Sequence, residues 1–370
     1  MSFSTMLFVA FIAIVSIQVI YYLSFLFAFA TKPAEKRLKQ NLPVSIIVCA
    51  KNEAKNLKEN LPALINQKYP NFEIVLVNDS SSDDTLEVMK TLKNQNDNIS
   101  IVDVKENEAF WGNKKYALTL GIKASKNDFL IFTDADCLPV SDMWLANIAG
   151  HFSNAKSIVL GYGAYRKKPL SLLNKLIRFE TLMTALQYFS YAILGLPYMG
   201  VGRNMAYRKE LFFNNSGFNN HMHVKSGDDD LLINEMATKE NTAICFTKAS
   251  FTLSEPKSSF NNWFYQKRRH VSTARLYKVK HKALLGLFYI SQLAFWILAL
   301  FCFLIMDNWQ LVLILFCLRL FVQYASVGIS SNKLLEKDLI LLIPILDLFL
   351  VITQLFIFIT NLISKPKHWK

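Results

Sequence analysis

Residues 128–136 read DFLIFTDAD, an apolar run that ends in two aspartates separated by one residue. The run predicts a buried strand, and the two carboxylates after it offer the hard oxygen ligands that divalent cations prefer. A D-x-D triplet alone is expected about once by chance in a chain of this length. Its position directly after a strand favours a metal site over the alternative, a solvated turn capped by an aspartate.

Two similar strands precede this one in the chain. The stretch PVSIIVCA at 43–50 leads into a polar cluster that contains Glu53, and FEIVLV at 72–77 leads into a cluster that contains Asp79. Helical patterns separate the strands, so the alternation predicts an α/β fold with a mostly parallel, Rossmann-like sheet. Ligands of such sheets bind at the carboxyl ends of the strands. We therefore expect both acidic groups to meet the D-x-D pair at one edge.

The composition divides the chain into apolar ends and a charged middle. Hydrophobic residues make up 52% of the 370 residues, yet the formal net charge is +13. The uncharged run 4–30 predicts a transmembrane anchor rather than a cleaved signal peptide, because its first cation, Lys32, follows the run. This composition excludes a soluble monomer, a disordered chain and a disulfide scaffold. Five scattered cysteines without a C-x-x-C pair fit a reducing compartment and indicate no zinc site.

Three more apolar runs close the chain, at 283–306, 309–329 and 339–364. Arg319 and Asp347 interrupt the second and third of these, and they are expected to pair with each other, to snorkel or to line an acceptor cavity. The predicted organisation is an anchor at 1–31, an α/β domain at 32–282 and a membrane region of about three segments at 283–370.

Lysines and arginines set the expected orientation of the membrane segments. Cations follow the first span and precede the second, at Lys278, Lys280 and Lys282, which places the middle domain in the cytoplasm. Four full spans would then place the basic C-terminus outside, against the same rule. Either the last segment is re-entrant or interfacial, or the rule is overruled. The stretch 170–199 is interpreted as an interfacial amphipathic helix or, equally, as a buried core helix.

Three polar clusters remain, each with a structural alternative. The Ser/Asp-rich stretch 79–84 either binds hydroxyls of a nucleoside or caps a helix. The triplet Asp228-Asp229-Asp230 either supplies a general base, since like charges raise a pKa, or opens a helix. The run QKRRH at 266–270 either binds diphosphate or attracts anionic lipid, and no nucleic-acid motif accompanies it.

Taken in order, these motifs resemble the family 2 glycosyltransferases with a GT-A fold, the group that contains the cellulose and hyaluronan synthases and, more loosely, ceramide glucosyltransferase. The resemblance runs from Ser45 to His270. It implies that the strand-end residues bind the nucleotide of a sugar donor and that the second aspartate of TDAD binds Mg²⁺ or Mn²⁺. The implied donor-site residues are Glu53, Asp79, Lys114, Lys115 and Asp134, with Asp136 as the metal ligand.

The same resemblance assigns the acceptor and leaving-group residues. GRNMAYR at 202–208 is similar to a segment near the acceptor, which implicates Asn204. SGDDDL at 226–231 implies Asp228 as general base, with Asp229 as the alternative. QKRRH resembles the Q-x-x-R-W signature. This resemblance implies that Gln266, Arg268 and Arg269 bind the diphosphate or the acceptor.

Two departures from the family pattern affect the expected activity. Gly227 replaces an acidic residue before the base, and His270 replaces the tryptophan that shapes the acceptor site of processive synthases. We therefore expect an inverting, metal-dependent transfer from an NDP-sugar, with a UDP-sugar preferred, to an amphiphilic or lipid-linked acceptor at a bacterial inner membrane. A processive polysaccharide synthase and a catalytically silent scaffold of an envelope complex are the alternatives.

Overall fold

The computed structural model describes residues 2–31, 41–105 and 114–364. These residues form two compact units. Residues 2–31, 169–191 and 258–364 form a helical unit, and the other described residues form an α/β unit. Two segments inside the predicted α/β domain, 169–191 and 258–282, are thus assigned to the helical unit.

Ten strands lie in the described part of the α/β unit. They are β1 (Val44–Ala50), β2 (Phe72–Asp79), β3 (Ile99–Val104), β4 (Phe129–Asp134), β5 (Cys137–Pro139), β6 (Ile158–Leu160), β7 (Gly163–Tyr165), β8 (Met205–Arg208), β9 (Thr242–Ile244) and β10 (Thr252–Ser254). Seven form a sheet in the order β3-β2-β1-β4-β8-β6-β9. Only β8 runs antiparallel to its neighbours β4 and β6, so the predicted mostly parallel sheet is confirmed.

The order of the central strands creates a crevice. From β1 the chain passes to β2 on one side, and β4 later pairs with β1 on the other side. Such a change of direction is the point at which open α/β sheets bind ligands. The strands are β-branched and buried on both faces, with a core that contains Ile46, Leu76 and Ile131.

Short helices accompany this sheet in the α/β unit, which also contains a second, smaller sheet. The helices are α2 (Ala54–Ile65), α3 (Thr85–Asn94), α4 (Lys114–Ala124), α5 (Trp144–Ala149), α7 (Lys209–Asn214) and α8 (Asp230–Met236). The second sheet has the order β5-β10-β7, in which Ser254 pairs with Cys137 on one side and with Tyr165 on the other. Because β5 begins directly after the D-x-D segment, this small sheet borders the predicted metal site.

The helical unit contains the apolar segments. Its helices are α1 (Phe3–Thr31), α6 (Leu172–Ile193, of which 172–191 belong here), α9 (Phe260–Thr273), α10 (Val279–Ile305), α11 (Trp309–Lys333) and α12 (Ile343–Ile363). In the described residues, four segments are long and apolar enough to cross a membrane: Phe3–Thr31, Val279–Ile305, Trp309–Lys333 and Lys337–Ile363. The predicted apolar spans are thereby found, while the sidedness of the membrane stays a prediction.

Helix α6 is buried over most of its surface. Fifteen of its 22 residues are buried, including the charged Arg178 and Glu180. Arg178 pairs with Glu336 and Asp338 in the segment before α12, and Glu180 forms an ion pair with Lys267 at 2.5 Å. Ion pairs between buried charged side chains are typical of a core helix and favour the second of the two interpretations of this stretch. The interfacial position stays a prediction.

A polar network joins the four apolar helices. Arg319 of α11 lies 3.1 Å from Asp347 of α12, and both side chains are fully buried. Arg319 also donates to Gln18 of α1 at 3.1 Å, and Asp347 accepts from Gln292 of α10 at 2.5 Å. Of the predicted arrangements, the structure shows the direct ion pair. Its members are bonded on several sides, as buried charges require.

The buried pair yields a stability prediction. Asp347→Leu leaves the Arg319 charge without its carboxylate and is expected to cost about 3–5 kcal/mol, whereas Arg319→Leu/Asp347→Leu should recover much of that loss. Thermal unfolding in detergent compares the two variants, with the exposed Asp307→Asn as control. The expectation is that Asp347→Leu loses stability mainly because the buried Arg319 charge has no partner. A double variant that is less stable than Asp347→Leu would contradict this expectation.

Candidate active site

The carboxyl ends of β1, β2 and β4 lie side by side at one edge of the sheet. Loop 51–53 follows β1 and loop 80–84 follows β2, and hydrogen bonds connect the first loop with the second and with the start of α3. The Asn52 side chain accepts from the Ser82 amide at 2.8 Å, and the Glu53 amide donates to the Thr85 hydroxyl at 2.8 Å. Asn52 adopts a positive φ of 56°, which asparagine tolerates better than most residues. The two loops therefore form one wall.

Asp79, at the end of β2, is the buried carboxylate of this wall. It is 6% exposed, and its Oδ2 has no hydrogen-bond partner among the described residues. Burial raises its pKa, against the opposing charges of Lys51 and Lys114. A buried acceptor without a donor costs free energy, so this oxygen suits a hydroxyl of a bound ligand. In contrast, Asp83 accepts the Thr85 amide at 3.0 Å, so its carboxylate is bonded to the first residue of α3.

The D-x-D carboxylates follow β4. Ligand atoms of Asp134, Asp136 and Cys137 all lie within 4.8 Å of one another. Burial, then the charges of Asp134 and Glu53, raises the pKa of Asp136, so bringing a cation here would relieve repulsion. The thiol of Cys137 lies 3.0 Å from the Ser254 hydroxyl, and burial holds its pKa well above the ordinary value. The residues present thus fit a hard divalent cation bound by carboxylate oxygens.

The two adjacent lysines at the start of α4 have different surroundings. Lys114 Nζ lies 3.0 Å from Asp134 Oδ1 and 3.0 Å from Asp228 Oδ2. Lys115 is 1% exposed and donates to the carbonyls of His221 and Val224 at 2.7 and 3.1 Å. Neighbouring helical residues project about 100° apart, which sends the two ammonium groups to different places. The assignment of Lys115 to the nucleotide is therefore corrected: it binds the loop before Asp228.

Asp228 faces the cleft. It is 7% exposed, and although burial acts to raise its pKa, the ion pair with Lys114 prevails and lowers it. The cleft is small and lies at the carboxyl ends of the strands. Its lining residues are Ile47, Cys49, Lys114, Leu118, Phe132, Thr133, Asp134, Gly202, Met205 and Asp228. Asp228 is therefore ionised and able to accept a proton from a group in this cleft.

Asp229 and Gly227 shape the turn that presents Asp228. Asp229 caps α8 by accepting the Asp230 amide at 2.8 Å, and its other oxygen accepts the Gly202 amide at 2.7 Å. Gly227 has a φ of +90°, and a Cβ there would lie 2.4 Å from Leu231. The missing acidic side chain at 227 thus has a steric reason. With both oxygens bonded to the backbone, Asp229 is placed for a structural role.

Asp229 gives a pH prediction. Burial and then the charges of Asp228 and Asp230 raise its pKa to about 7. The folded state therefore binds a proton more tightly than the unfolded state, and the resulting stabilisation is lost as pH rises from about 4 to about 7. In Asp229→Asn, thermal unfolding is expected to depend less on pH across this window than in the wild type. Identical pH dependence in both proteins would contradict the raised pKa.

Two residues predicted to bind ligands form hydrogen bonds inside the fold instead. Asn204 is fully buried, donates to the carbonyls of Tyr162 and Ser250, and accepts from Trp144. Arg268 is 7% exposed and donates to Asn361 at 3.0 Å and to the Ser364 carbonyl at 2.5 Å, joining α9 to the end of α12. These internal bonds use both polar atoms of the Asn204 side chain and Nε and Nη2 of Arg268. The assignments of Asn204 to the acceptor and of Arg268 to the diphosphate are therefore corrected, because both side chains act inside the fold.

Gln266 and Arg269 lie on the same helix α9 of the helical unit. Their assignment to the diphosphate or acceptor stays a prediction. Two further residues here have no role predicted from the sequence: Gly202, whose amide donates to Asp229, and Arg203, whose carbonyl accepts the Thr133 hydroxyl at 3.2 Å. Their position inside GRNMAYR was the available signal, but nothing in one sequence shows which member of that motif faces the cleft.

Parts of the chain are similar in sequence to known glycosyltransferases. Residues 45–213 match the family model described as glycosyl transferase family 2. Over 99 residues the chain is 33% identical to the poly-beta-1,6-N-acetyl-D-glucosamine synthase of Staphylococcus aureus (strain COL), which covers 27% of this chain and 23% of that protein. Over 274 residues it is 25% identical to the probable glycosyltransferase YdaM of Bacillus subtilis (strain 168), covering 69% and 63%. The match thus spans about a quarter of the first relative and under two thirds of the second.

A solved structure shares the fold. The mannosyltransferase PcManGT from Pyrobaculum calidifontis, in complex with GDP-Man and Mn²⁺, aligns with a TM-score of 0.59 over 90% of this chain and 97% of that chain, at 18% identity. At this identity the likeness shows the fold alone. It confirms the predicted GT-A architecture.

Proposed function

Since the chain carries a family 2 glycosyltransferase domain of GT-A fold, we propose that it transfers a sugar from an NDP-sugar, with a UDP-sugar preferred, to a membrane-associated or lipid-linked acceptor. The product would be a glycan or glycolipid of the cell envelope. The observation that carries this proposal is the convergence of Asp79, Asp134, Lys114 and Asp228 at the switch point of the sheet. Acidic, basic and apolar groups there suit a charged nucleotide and a hydroxyl nucleophile.

The donor would lie along the strand ends. Glu53 and Asp79 would accept hydrogen bonds from the nucleoside, which satisfies the buried oxygen of Asp79. Asp136, with Asp134 beside it, would hold Mg²⁺ or Mn²⁺. Such a cation supplies positive charge to the diphosphate as that group leaves. PcManGT is described with GDP-Man and Mn²⁺, which supports a donor and metal of this kind.

Asp228 would act as the general base. Its carboxylate takes a proton from the acceptor hydroxyl, and that oxygen attacks the anomeric carbon from the face opposite the diphosphate. One displacement inverts the configuration at that carbon. Lys114, between Asp134 and Asp228, keeps Asp228 ionised. Gln266 and Arg269 would assist the departing diphosphate, whereas Arg268 anchors their helix.

The apolar helices favour action at a membrane. Four spans would hold the protein in a bacterial inner membrane with the α/β unit on the cytoplasmic side. The exposed cations Lys280 and Lys282 at the start of α10 would contact anionic lipid head groups. An acceptor that is itself a lipid would then be available at the same surface.

Polymer synthesis is the second candidate, because one relative is a poly-beta-1,6-N-acetyl-D-glucosamine synthase. His270, where processive synthases carry tryptophan, favours single addition. The size of the radiolabelled product distinguishes them: label in small, lipid-extractable product supports single addition, and label only in large polymer supports the synthase.

A donor screen tests the proposal as a whole. Membranes that contain the protein are incubated with several NDP-sugars and Mg²⁺ or Mn²⁺, and NDP release is measured against membranes with Asp228→Asn. We expect release with one donor class, its loss in the variant and its loss with EDTA. Equal release from both membranes with every donor would contradict the proposal and favour a silent scaffold.

A further inference from the structure

Arg203 lies directly beside the D-x-D segment and has no role in the mechanism above. Its backbone carbonyl accepts from the hydroxyls of Thr133 at 3.2 Å and Thr252 at 3.1 Å. Thr133 immediately precedes Asp134, and Thr252 lies in β10 of the small sheet. The arginine is therefore fixed between the end of β4 and the small sheet that borders the metal motif.

Neighbouring residues hold the Arg203 side chain in a defined position. Its guanidinium carbon lies 4.2 Å from the centre of the Tyr165 ring, and Nη2 donates to the Gly163 carbonyl at 2.6 Å. A Cβ on Gly163 would lie 2.3 Å from Nε of Arg203. Only glycine leaves room for the guanidinium here. Stacking and this bond hold the group in one orientation and lower the entropy cost of binding a ligand.

A row of paired residues connects this guanidinium with the metal motif. Cys137, Ser254 and Tyr165 are aligned across the three strands of the small sheet. Cys137 Sγ lies 3.0 Å from the Ser254 hydroxyl and donates to Asp136 at 3.4 Å. Tyr165 is two strand spacings from Cys137, a separation of about 10 Å along the sheet. The guanidinium and the Asp136 carboxylate thus flank the same short sheet.

We propose that Arg203 forms, next to the cation site of Asp136, a subsite that binds the phosphate oxygens of the donor's diphosphate. The guanidinium carries five N–H donors, more than Gly163 and Tyr165 accept, and its planar fork matches a phosphate. As a whole residue, Arg203 is half-buried. This inference rests on the proposed function and adds a diphosphate contact to it.

Arg208, the last residue of β8, provides a matched control five positions after Arg203. Its guanidinium lies 5.0 Å from the centre of the Phe129 ring and donates to the Ser153 carbonyl at 2.8 Å, so it has the same kinds of contact. However, Arg208 pairs with Phe129 at the amino end of β4, away from the strand ends that form the cleft. Arg208→Gln thus removes an equally stacked cation without touching the subsite.

The test measures two affinities of the full-length protein that Arg203→Gln is expected to change in opposite directions. Binding of UDP and GDP with saturating Mn²⁺ should weaken about 10- to 100-fold, the effect of losing a charge-assisted bond, while binding of uridine or guanosine stays unchanged. Affinity for Mn²⁺ alone, followed by electron paramagnetic resonance, should rise about threefold, because a cation beside the metal carboxylate is gone. Arg208→Gln should change neither affinity.

A purely structural arginine would give a different pattern. Weakening of both diphosphate and Mn²⁺ binding, or unchanged diphosphate binding, would overturn the subsite. Gly163→Ala supplies a second variant, because it displaces the guanidinium without removing its charge and should also weaken diphosphate binding. If the wild type itself binds no nucleoside diphosphate with Mn²⁺, the proposed function fails, and that result is distinct from a failure of Arg203 alone.

Discussion

Asp228→Asn is expected to lower the rate of sugar transfer by about 10²- to 10⁴-fold, the range that a general base contributes. The amide cannot take the proton of the acceptor hydroxyl. It can still accept a bond from Lys114, which lies 3.0 Å from Asp228 Oδ2 in the wild type. The shape of the cleft should therefore persist, and NDP affinity should stay within a few-fold of the wild type. Turnover is measured as NDP release at saturating donor, and affinity by calorimetry.

Asp229→Asn is the matched variant for this prediction. It removes the neighbouring carboxylate, whose oxygens accept the Gly202 and Asp230 amides. We expect a modest loss of rate together with altered stability. A larger loss of turnover in Asp229→Asn than in Asp228→Asn would move the base to Asp229. Retained activity in both would remove the triplet from the chemical step.

Asp136→Ala is expected to weaken Mn²⁺-dependent NDP binding by about 100-fold or more, because a bound cation contributes several kcal/mol to holding a diphosphate. The variant also removes one of the charges that raise repulsion among Glu53, Asp134 and Asp136. Its thermal stability without metal should therefore equal or exceed that of the wild type. Asp136→Ala is thus expected to lose ligand binding and not stability. Calorimetric titration of NDP with and without Mn²⁺ measures the metal-dependent part of the binding.

Asp142→Ala is the control for the metal site. Asp142 is an exposed carboxylate that pairs with Lys68 at 2.6 Å. Exposed pairs contribute little to stability, so this variant should bind metal and nucleotide as the wild type does. Equal Mn²⁺ dependence of NDP binding in Asp136→Ala and Asp142→Ala would show that the D-x-D segment does not hold the metal.

Much of the α/β fold follows from local pattern in the sequence. The β-branched runs at β1, β2 and β4 alternate with helical patterns, which predicts a parallel sheet. Each run ends in a polar cluster, which predicts that the site lies at the carboxyl ends of the strands. The apolar helices follow equally from uninterrupted hydrophobic runs. Helix α6 differs, because its mixed composition fits two environments, and only the partners of Arg178 and Glu180 distinguish them.

Whether a given residue of a motif faces the cleft depends on the direction of its side chain. The order of motifs along the sequence does not show that direction. Lys114 and Lys115 are adjacent, yet one binds Asp134 and Asp228 and the other binds the 221–224 loop. Arg268 and Arg269 are adjacent on α9, and the contacts of Arg268 with α12 come from residues about ninety positions away. Similarly, Arg203 gains its surroundings from Gly163 and Tyr165, which only the strand pairing brings near.

The central claim is that one nucleoside diphosphate and one divalent cation bind together at the carboxyl ends of β1, β2 and β4. The most direct measurement is calorimetric titration of the purified full-length protein with UDP and GDP, in Mn²⁺ and again in EDTA, for the wild type and Asp79→Ala. We predict a single site that requires Mn²⁺ and is weakened in the variant, because Asp79 presents its unpartnered oxygen to the nucleoside. Binding that is equally tight in EDTA and in Asp79→Ala, or no binding of either nucleotide, would contradict the account.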